Sequence, residues 1–221
     1  MLLHRIHLNL RCREVRRDIA DPYEMHSTLC RIFSKKEQKS APGLFLWRLE
    51  PGTISNEMPQ AIIQSFELPE WSRIGIDDWL SEEPSSPLDV KQKLKLNPDS
   101  LLKGMRFRYR LRANPSVRRN GKRIGLYKPE EQDEWLVRQG KIKGFIPETI
   151  HRSQERMLTG KRRSGDPIRV FSVLYDGILR VEDSLLFIDA VANGLGHGKT
   201  MGLGLLSIVP VLTQPKPSAA D

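Results

Sequence analysis

Five glycines, Gly194, Gly196, Gly198, Gly202 and Gly204, fall in one short segment that lies between a helical period and a strand. Before it, Leu185, Leu186, Ile188, Val191 and Ala192 recur at helical spacing. After it, Leu205 to Val211 is a short apolar run with Pro210 near its end. A phosphate-cradling P-loop has the reverse order, strand then loop then helix, so that loop N–H groups and the helix N-terminus face the phosphates. Asn193 also stands where that pattern wants glycine, and too little chain follows for the acidic strand such a site uses. The order helix, loop, strand argues against an ATPase or GTPase. It makes the segment a connection inside a mixed helix-and-strand fold.

The 221 residues carry 36 Lys plus Arg against 27 Asp plus Glu, a formal charge of +9, for which a polyanion is the natural partner. The length suits one large domain or two small ones. In Met1 to Leu10, Arg5, His7 and Asn9 alternate with Ile6, Leu8 and Leu10, which reads as a strand with His4 and His7 on or near its polar side, not as a signal core. No apolar run approaches the roughly 20 residues of a membrane span. Cys12 and Cys30 show no metal spacing and suit a reducing cytoplasm.

The chain reads as two consecutive β-α-β-β-α-β units, an α+β architecture of two tandem ferredoxin-like (RRM-like) domains with antiparallel sheets, divided as residues 1–115 and 116–221. In the first, Asp21-Pro22-Tyr23-Glu24 starts a helix, with Asp21 as cap, Pro22 at the first position and Glu24 completing a capping box. That helix is expected to run to about Phe33 or Lys35. Strands are expected at Phe45 to Glu50, Ala61 to Leu68 and Met105 to Ala113, a short helix around Asp77 to Leu80, and a surface loop over Ser81 to Asp99. The second unit is expected to hold a strand Arg123 to Tyr127 and a helix Pro129 to Arg138. Strands near Phe145 to Ile150 and Glu155 to Leu158 follow, then a hairpin from Ile168 to Glu182, the helix before the glycine loop and the final strand. Gln214 to Asp221 reads as a frayed tail.

Three basic features are candidate phosphate contacts. In Met105 to Arg112 the arginines Arg106, Arg108, Arg110 and Arg112 alternate with apolar residues, so one sheet face carries a ladder of guanidinium groups. Such groups read phosphate bidentately; the alternative is an outer face paired to acidic neighbours. Arg118, Arg119, Lys122 and Arg123 surround the turn dipeptide Asn120-Gly121. Lys161, Arg162 and Arg163 are bounded by glycines, as suits a protruding hairpin tip that follows a phosphate backbone, against an ordinary solvated turn.

For chemistry, Tyr23 and His26 are three residues apart on one helix, flanking the stripe Met25, Leu29, Ile32. An imidazole moves protons near neutral pH, and a phenol can orient a phosphate. The spacing alone describes a packed His and Tyr at a helix edge better than it does a catalytic pair. None of the histidines shows metal spacing; His151 and His197 stand in loop or strand-end contexts.

Taken together, Asp-Pro-Tyr-Glu-Met-His at 21 to 26, Leu46-Trp47-Arg48-Leu49-Glu50, the run FRYRLRANP from Phe107, Gly121-Lys122-Arg123 and the ending GLGHGKTMGLGLLS resemble, in the same order, the CasE family of CRISPR repeat-processing endoribonucleases of type I-E Cascade. The paired ferredoxin-like fold of that family agrees with the unit count. The resemblance implies binding of the repeat hairpin and one cut at the 3′ base of its stem, with no metal or other cofactor. The 2′-OH beside the scissile phosphate attacks, leaving a 2′,3′-cyclic phosphate and a 5′-OH. It implies that Tyr23 and His26 are catalytic, His26 as the acid that protonates the 5′-oxygen and Tyr23 as a positioning group.

Lys199 and the glycine loop are expected to meet RNA. His197 stands where the family often has proline, a departure read as neutral. The implied partners are the repeat RNA and the other Cascade subunits, with a monomer when free of the complex and no membrane. A non-cleaving repeat-associated RNA-binding subunit is the nearer alternative. A general RRM-like RNA binder is the more distant one, and the polar face of Met105 to Arg112 offers arginines rather than stacking aromatics.

Overall fold

The computed structural model describes residues 1–33, 45–50, 58–161 and 164–211. The first half runs β1 (Leu2–His7), α1 (Arg13–Ala20), α2 (Pro22–Phe33), β2 (Phe45–Glu50), β3 (Gln60–Ser65), a one-turn 3-10 helix (Trp71–Ile74), β4 (Leu88–Asp89) and α3 (Val90–Lys93). The second runs β5 (Arg106–Ala113), β6 (Ser116–Arg119), β7 (Lys122–Gly125), α4 (Pro129–Ile142), β8 (Phe145–Lys161), β9 (Pro167–Val181), α5 (Ser184–Asn193), a 3-10 turn (Lys199–Met201) and β10 (Leu206–Pro210). No helix among the described residues is long and apolar enough to cross a membrane.

Two antiparallel four-stranded sheets result, ordered β2-β3-β1-β4 and β10-β5-β9-β8. In both, the sequence of strands maps onto the spatial order second, third, first, fourth, read from one edge or the other, which is the ferredoxin-like pattern. In the second unit α4 and α5 are the two crossovers. In the first, α1 and α2 share the first crossover, and the second is reduced to the turn at Trp71–Ile74.

The tandem architecture stands, but its parts are distributed differently from the expectation. The strand around Met105 to Ala113 does not close the first sheet. As β5 it opens the second, with Leu111 opposite Tyr175 of β9 and Leu206 of β10, so a division at residue 115 falls behind it. The first sheet takes its fourth strand from inside the presumed loop 81–99, where Leu2 and Leu3 face Asp89 and Leu88. A two-residue strand has no periodicity to read. The expected opening strand at Arg123 is instead β7, which pairs only with β6 as a separate ribbon.

The two short strands near 145–158 are one long strand, β8, interrupted by register shifts between Pro147 and Thr149 and between Ser153 and Arg156. Its partner β9 is the whole of the supposed hairpin 168–182. The helix near Asp77 is replaced by the turn at Trp71–Ile74, and α1 had no sequence counterpart. His4 lies inside with Ile6 and Leu8, 2% exposed and edge-on to Trp71, rather than on the polar side of β1. Lys35 and the tail 214–221 lie outside the described residues.

The α2 stripe of Met25, Leu29 and Ile32 packs on Trp47, Ala61 and Ile63, the core of the first unit. Neighbouring residues Leu46 and Ile62 point to the opposite face and meet Leu205 of the second unit. Period-two alternation thus buries β2 and β3 on both sides and joins the units through a dry seam. Burial of each large side chain there contributes about 1.5–3 kcal/mol. The seam also holds polar braces: Gln64 donates to the carbonyls of Val191 (2.7 Å) and Ala192 (3.3 Å) at the end of α5.

Candidate functional site

Tyr23 stands at the first turn of α2, where the helix of the first unit meets β8 and the glycine loop of the second. Asp21 sets this junction. Its Oδ1 accepts the Tyr23 N–H at 2.9 Å, as an N-terminal cap does, and its Oδ2 accepts the backbone N–H of Lys161 at 3.1 Å. The expected capping box is absent: the Asp21 N–H bonds to Arg17 O of α1, and Glu24 faces Arg17 at 3.7 Å. One carboxylate therefore ties the catalytic candidate to the base of the basic hairpin tip.

Gly160 makes the approach possible, since a Cβ there would lie 2.7 Å from Asp21 Oδ1 and 3.2 Å from the Tyr23 Cβ. Tyr23 packs beside Leu158, Met201 and Leu203. Arg162 and Arg163 lie outside the described residues; Lys161 is exposed.

His26, one turn on, is half-buried, with its ring 5.2 Å from that of Phe45. Its Nε2 lies 3.5 Å from Cys30 Sγ, and its Nδ1 is buried with no hydrogen-bond partner. Burial pushes its pKa from the ordinary 6.5 down to about 4. The free protein thus carries a neutral imidazole at physiological pH, with one ring nitrogen uncommitted.

All five loop glycines have positive φ, and the space beside them is filled. At Gly202 (φ +73°) a Cβ would lie 2.9 Å from the Trp47 ring, and at Gly194 (φ +71°) it would lie 2.6 Å from Gly204 O. Gly196 and Gly198 abut Trp135 and Leu203, and Gly204 donates its N–H to Arg112 O at 2.8 Å. The loop is a wedge between Trp47 of one unit and Trp135 of the other. It leaves His197, Lys199 and Thr200 exposed. Burial first, then the positive charges of Arg123 and Lys199, hold the His197 pKa below its usual value. The structure therefore brings Arg123 of β7 and Lys199 near one another around His197.

The arginine ladder is not a face of free cations. Arg106 pairs with Glu148 at 2.8 Å, and Arg110 lies between Asp176 (2.8 Å) and Glu50 (3.1 Å). Arg112 is 3% exposed, with its Nη atoms on the backbone carbonyl (3.4 Å) and side-chain oxygen of Gln154. Arg108 is exposed. The paired-face reading describes Arg106 and Arg110.

The β6–β7 ribbon is the opposite case. Its turn uses positive φ at Asn120 (49°) and Gly121 (75°), and its register sets Arg118 against Arg123 and Arg119 against Lys122, all exposed. Directly opposed like charges are destabilising unless an anion neutralises them.

Sequence reasoning missed several residues at the seam. Buried Arg48 donates to Glu50 (2.7 Å), to the carbonyls of Leu205 (3.0 Å) and Arg110 (3.3 Å), and to Ser207 Oγ (3.0 Å). Asp21 read as a cap only, and Gln154 and Arg156 carried no signal. Arg48, Asp21 and Gln154 act on partners 157, 140 and 42 residues away in sequence.

A sequence family described as CRISPR associated protein matches residues 1–210. The CRISPR-associated endoribonuclease Cse3 of Thermus thermophilus is 34% identical, over 95% of this chain and 100% of its own. The CRISPR system Cascade subunit CasE of Escherichia coli is 28% identical, over 86% of this chain and 93% of its own. A structure of Thermus thermophilus Cse3 bound to an RNA representing a pre-cleavage complex superposes with a TM-score of 0.78 at 33% identity, over 95% of this chain and 98% of that one. The chain belongs to the CasE (Cse3) family of CRISPR-associated proteins.

Proposed function

We propose that this chain is an endoribonuclease that binds the hairpin of a CRISPR repeat, cuts once at the 3′ base of its stem, and keeps the product as a subunit of Cascade in the cytoplasm. The observation that carries the reading is the seat of Tyr23 and His26. They lie on a helix start bonded through Asp21 to the strand that leads into the basic tip, so the chemistry and the RNA grip share one joint. The endoribonuclease and Cascade-subunit names of the relatives support it.

In the reaction the 2′-oxygen attacks phosphorus and the bond from phosphorus to the 5′-oxygen breaks. The 2′-OH proton leaves, and a proton goes to the 5′-oxygen. His26 is neutral before RNA arrives. The scissile phosphate raises its pKa by adding negative charge nearby, and the imidazolium then protonates the leaving oxygen. Tyr23, braced by Leu158 and Met201, positions the phosphate or the nucleophile. The glycine wedge lets backbone and Lys199 approach the strand, and the β6–β7 ribbon supplies four cations to phosphates.

The test is cleavage of a labelled repeat hairpin from the host genome in excess EDTA. Native protein is expected to cut once and leave a cyclic phosphate. His26→Ala and a substrate with a single 2′-deoxy group at the scissile site are expected not to cut. A hairpin bound tightly yet intact under every condition would make the protein a non-cleaving RNA-holding subunit.

A further inference from the structure

A cavity of about 160 Å³ opens between the two units beside the start of α2. Its walls come from the end of α1 and Pro22, from Trp47 and Leu49 of β2, from Arg112 of β5, from residues 156–159 of β8, and from Met201 and Gly202. Tyr23 and His26 are not among them, although Leu158 and Met201 touch both this cavity and Tyr23.

What sets the cavity apart is its unused donors. Trp47 and Arg112 are 2% and 3% exposed, and Trp47 Nε1 and Arg112 Nε are buried without any hydrogen-bond partner. A buried donor left without a partner is costly, so two in the wall of one cavity call for an acceptor. The Arg112 side chain is held in this attitude by a deliberate irregularity. The register shift between Ser153 and Arg156 puts Gln154 at φ +49°, and Gln154 then takes both Nη atoms of Arg112, leaving Nε over.

The same shift sets Arg156 on the face of β8 shared with Leu158 and Gly160, exposed at the rim of the cavity. The one carboxylate in the wall, Asp18, is already paired with Arg17 (2.7 Å) and accepts the Trp79 indole N–H (2.9 Å). Burial, then the charges of Arg156 and Arg48, lower the Arg112 pKa to about 10, against the opposing charge of Glu50. The volume exceeds what one water needs and admits a tetrahedral anion.

We infer that this cavity is a subsite for one backbone phosphate of the bound RNA, next to but distinct from the scissile phosphate, held by the Arg156 guanidinium at its rim and, once the wall yields to the ligand, by Trp47 Nε1 and Arg112 Nε. The identity of the polyanion rests on the ribonuclease reading above. Arg156 at the rim lies five residues before Lys161 on β8, so a strand that follows the basic tip reaches the cavity along one edge. The site's donors discriminate charge and not base identity.

The experiment scans the repeat hairpin with single methylphosphonates, which remove one phosphate charge at a time, and measures binding and cutting separately for native protein, Trp47→Phe and Arg156→Ala. Trp47→Phe removes the indole N–H together with part of the buried ring and leaves the net charge unchanged, so its loss of packing is read separately on the unmodified hairpin; Arg156→Ala is at an exposed site and keeps the core intact. With native protein, one non-scissile position is expected to weaken binding about tenfold, the order of one charge-assisted hydrogen bond. At that position the penalty is expected to be smaller in both variants than in native protein, because one of the three donors is already gone.

Equal penalties at every position in all three proteins would overturn the subsite, as would a native protein with no such position. Inorganic phosphate added to RNA-free protein is the second arm. If it raises the native Tm but not that of Arg156→Ala, while the interference pattern does not differ between proteins, the cavity is a free-phosphate site and the RNA assignment falls. If the hairpin binds but is never cut, the ribonuclease reading fails, and the binding comparison still decides the cavity.

Discussion

The β5 ladder and the β6–β7 ribbon are equally basic in sequence and separated by only a few residues, yet the fold treats their charges in opposite ways. Arg106 and Arg110 meet Glu148, Asp176 and Glu50, and Arg112 is buried against Gln154. Arg118, Arg119, Lys122 and Arg123 face one another across an exposed two-stranded ribbon. The ladder lies within a four-stranded sheet that a second unit abuts, so its charges must be met internally. The ribbon has solvent on its flanks and leaves its repulsion to be relieved by something outside. A run of arginines therefore reports a nucleic-acid face only where the fold supplies no carboxylates of its own.

The largest effect is expected at the brace behind the ladder. Arg48→Met removes a buried guanidinium that bonds both units, leaving the carbonyl of Leu205 and Ser207 Oγ without their donor. The expected loss is about 3 kcal/mol of stability, read by urea denaturation. A loss under 1 kcal/mol would mean that the internal charges of β5 and β2 are dispensable, and the contrast with the ribbon would collapse.

How much of this was legible in the sequence follows from the range of each interaction. The capping Asp21, the Pro22 start, the α2 stripe and the Asn120-Gly121 turn act over a few residues, and all appear where the sequence placed them. The order helix, loop, strand around the glycines held for the same reason. The assignment of β5 to a sheet could not be read, because its alternation is the same whichever partner it has; Leu111 meets Tyr175 and Leu206 from far along the chain. Two residues of β4 carry no period, and the bulges of β8 broke one strand into two apparent ones. At the site, Tyr23 and His26 were visible as a spacing. The link from Asp21 to Lys161, the Gly160 contact and the unpartnered Trp47 and Arg112 atoms exist only after folding.

The next effect tests a charge that the fold leaves uncompensated. His26 is half-buried against Phe45, and its pKa is about 4 in the folded chain against 6.5 when exposed. Below 6.5 the unfolded chain therefore binds the extra proton, and stability falls as pH drops from 6.5 toward 4, whereas above 6.5 the group has no effect. His26→Gln is expected to remove on the order of 2 kcal/mol of that acid-side loss, measured as the difference between native and variant denaturation at each end of the window. His4, also held low by burial, titrates in both proteins and cancels. A difference that does not change with pH would show that His26 is compensated after all.

Arg110→Gln comes third. It breaks one guanidinium's bonds to Asp176 and Glu50, but Glu50 keeps Arg48 and Asp176 is partly exposed, so the expected loss is about 1 kcal/mol. Its binding of repeat RNA is expected to keep the native dependence on salt, since a charge already paired releases few counterions. A salt slope reduced by about one would return Arg110 to the RNA face.

The smallest effect on stability is expected where the sequence is most basic. Replacing Arg118, Arg119, Lys122 and Arg123 with Gln removes two opposed like-charge pairs and leaves the Asn120-Gly121 turn intact. Stability is expected to stay within about 0.5 kcal/mol of native and to shift upward if it shifts at all. The same change is expected to lower the slope of log affinity against log salt by about 3, from roughly 0.7 to 0.9 per phosphate contact over four cations. The two measurements are informative only together. A ribbon whose neutralisation leaves both unchanged is a solvated turn, and one whose neutralisation destabilises the fold has internal partners like β5. Only unchanged stability with a reduced slope identifies charges that the fold leaves uncompensated and the RNA completes.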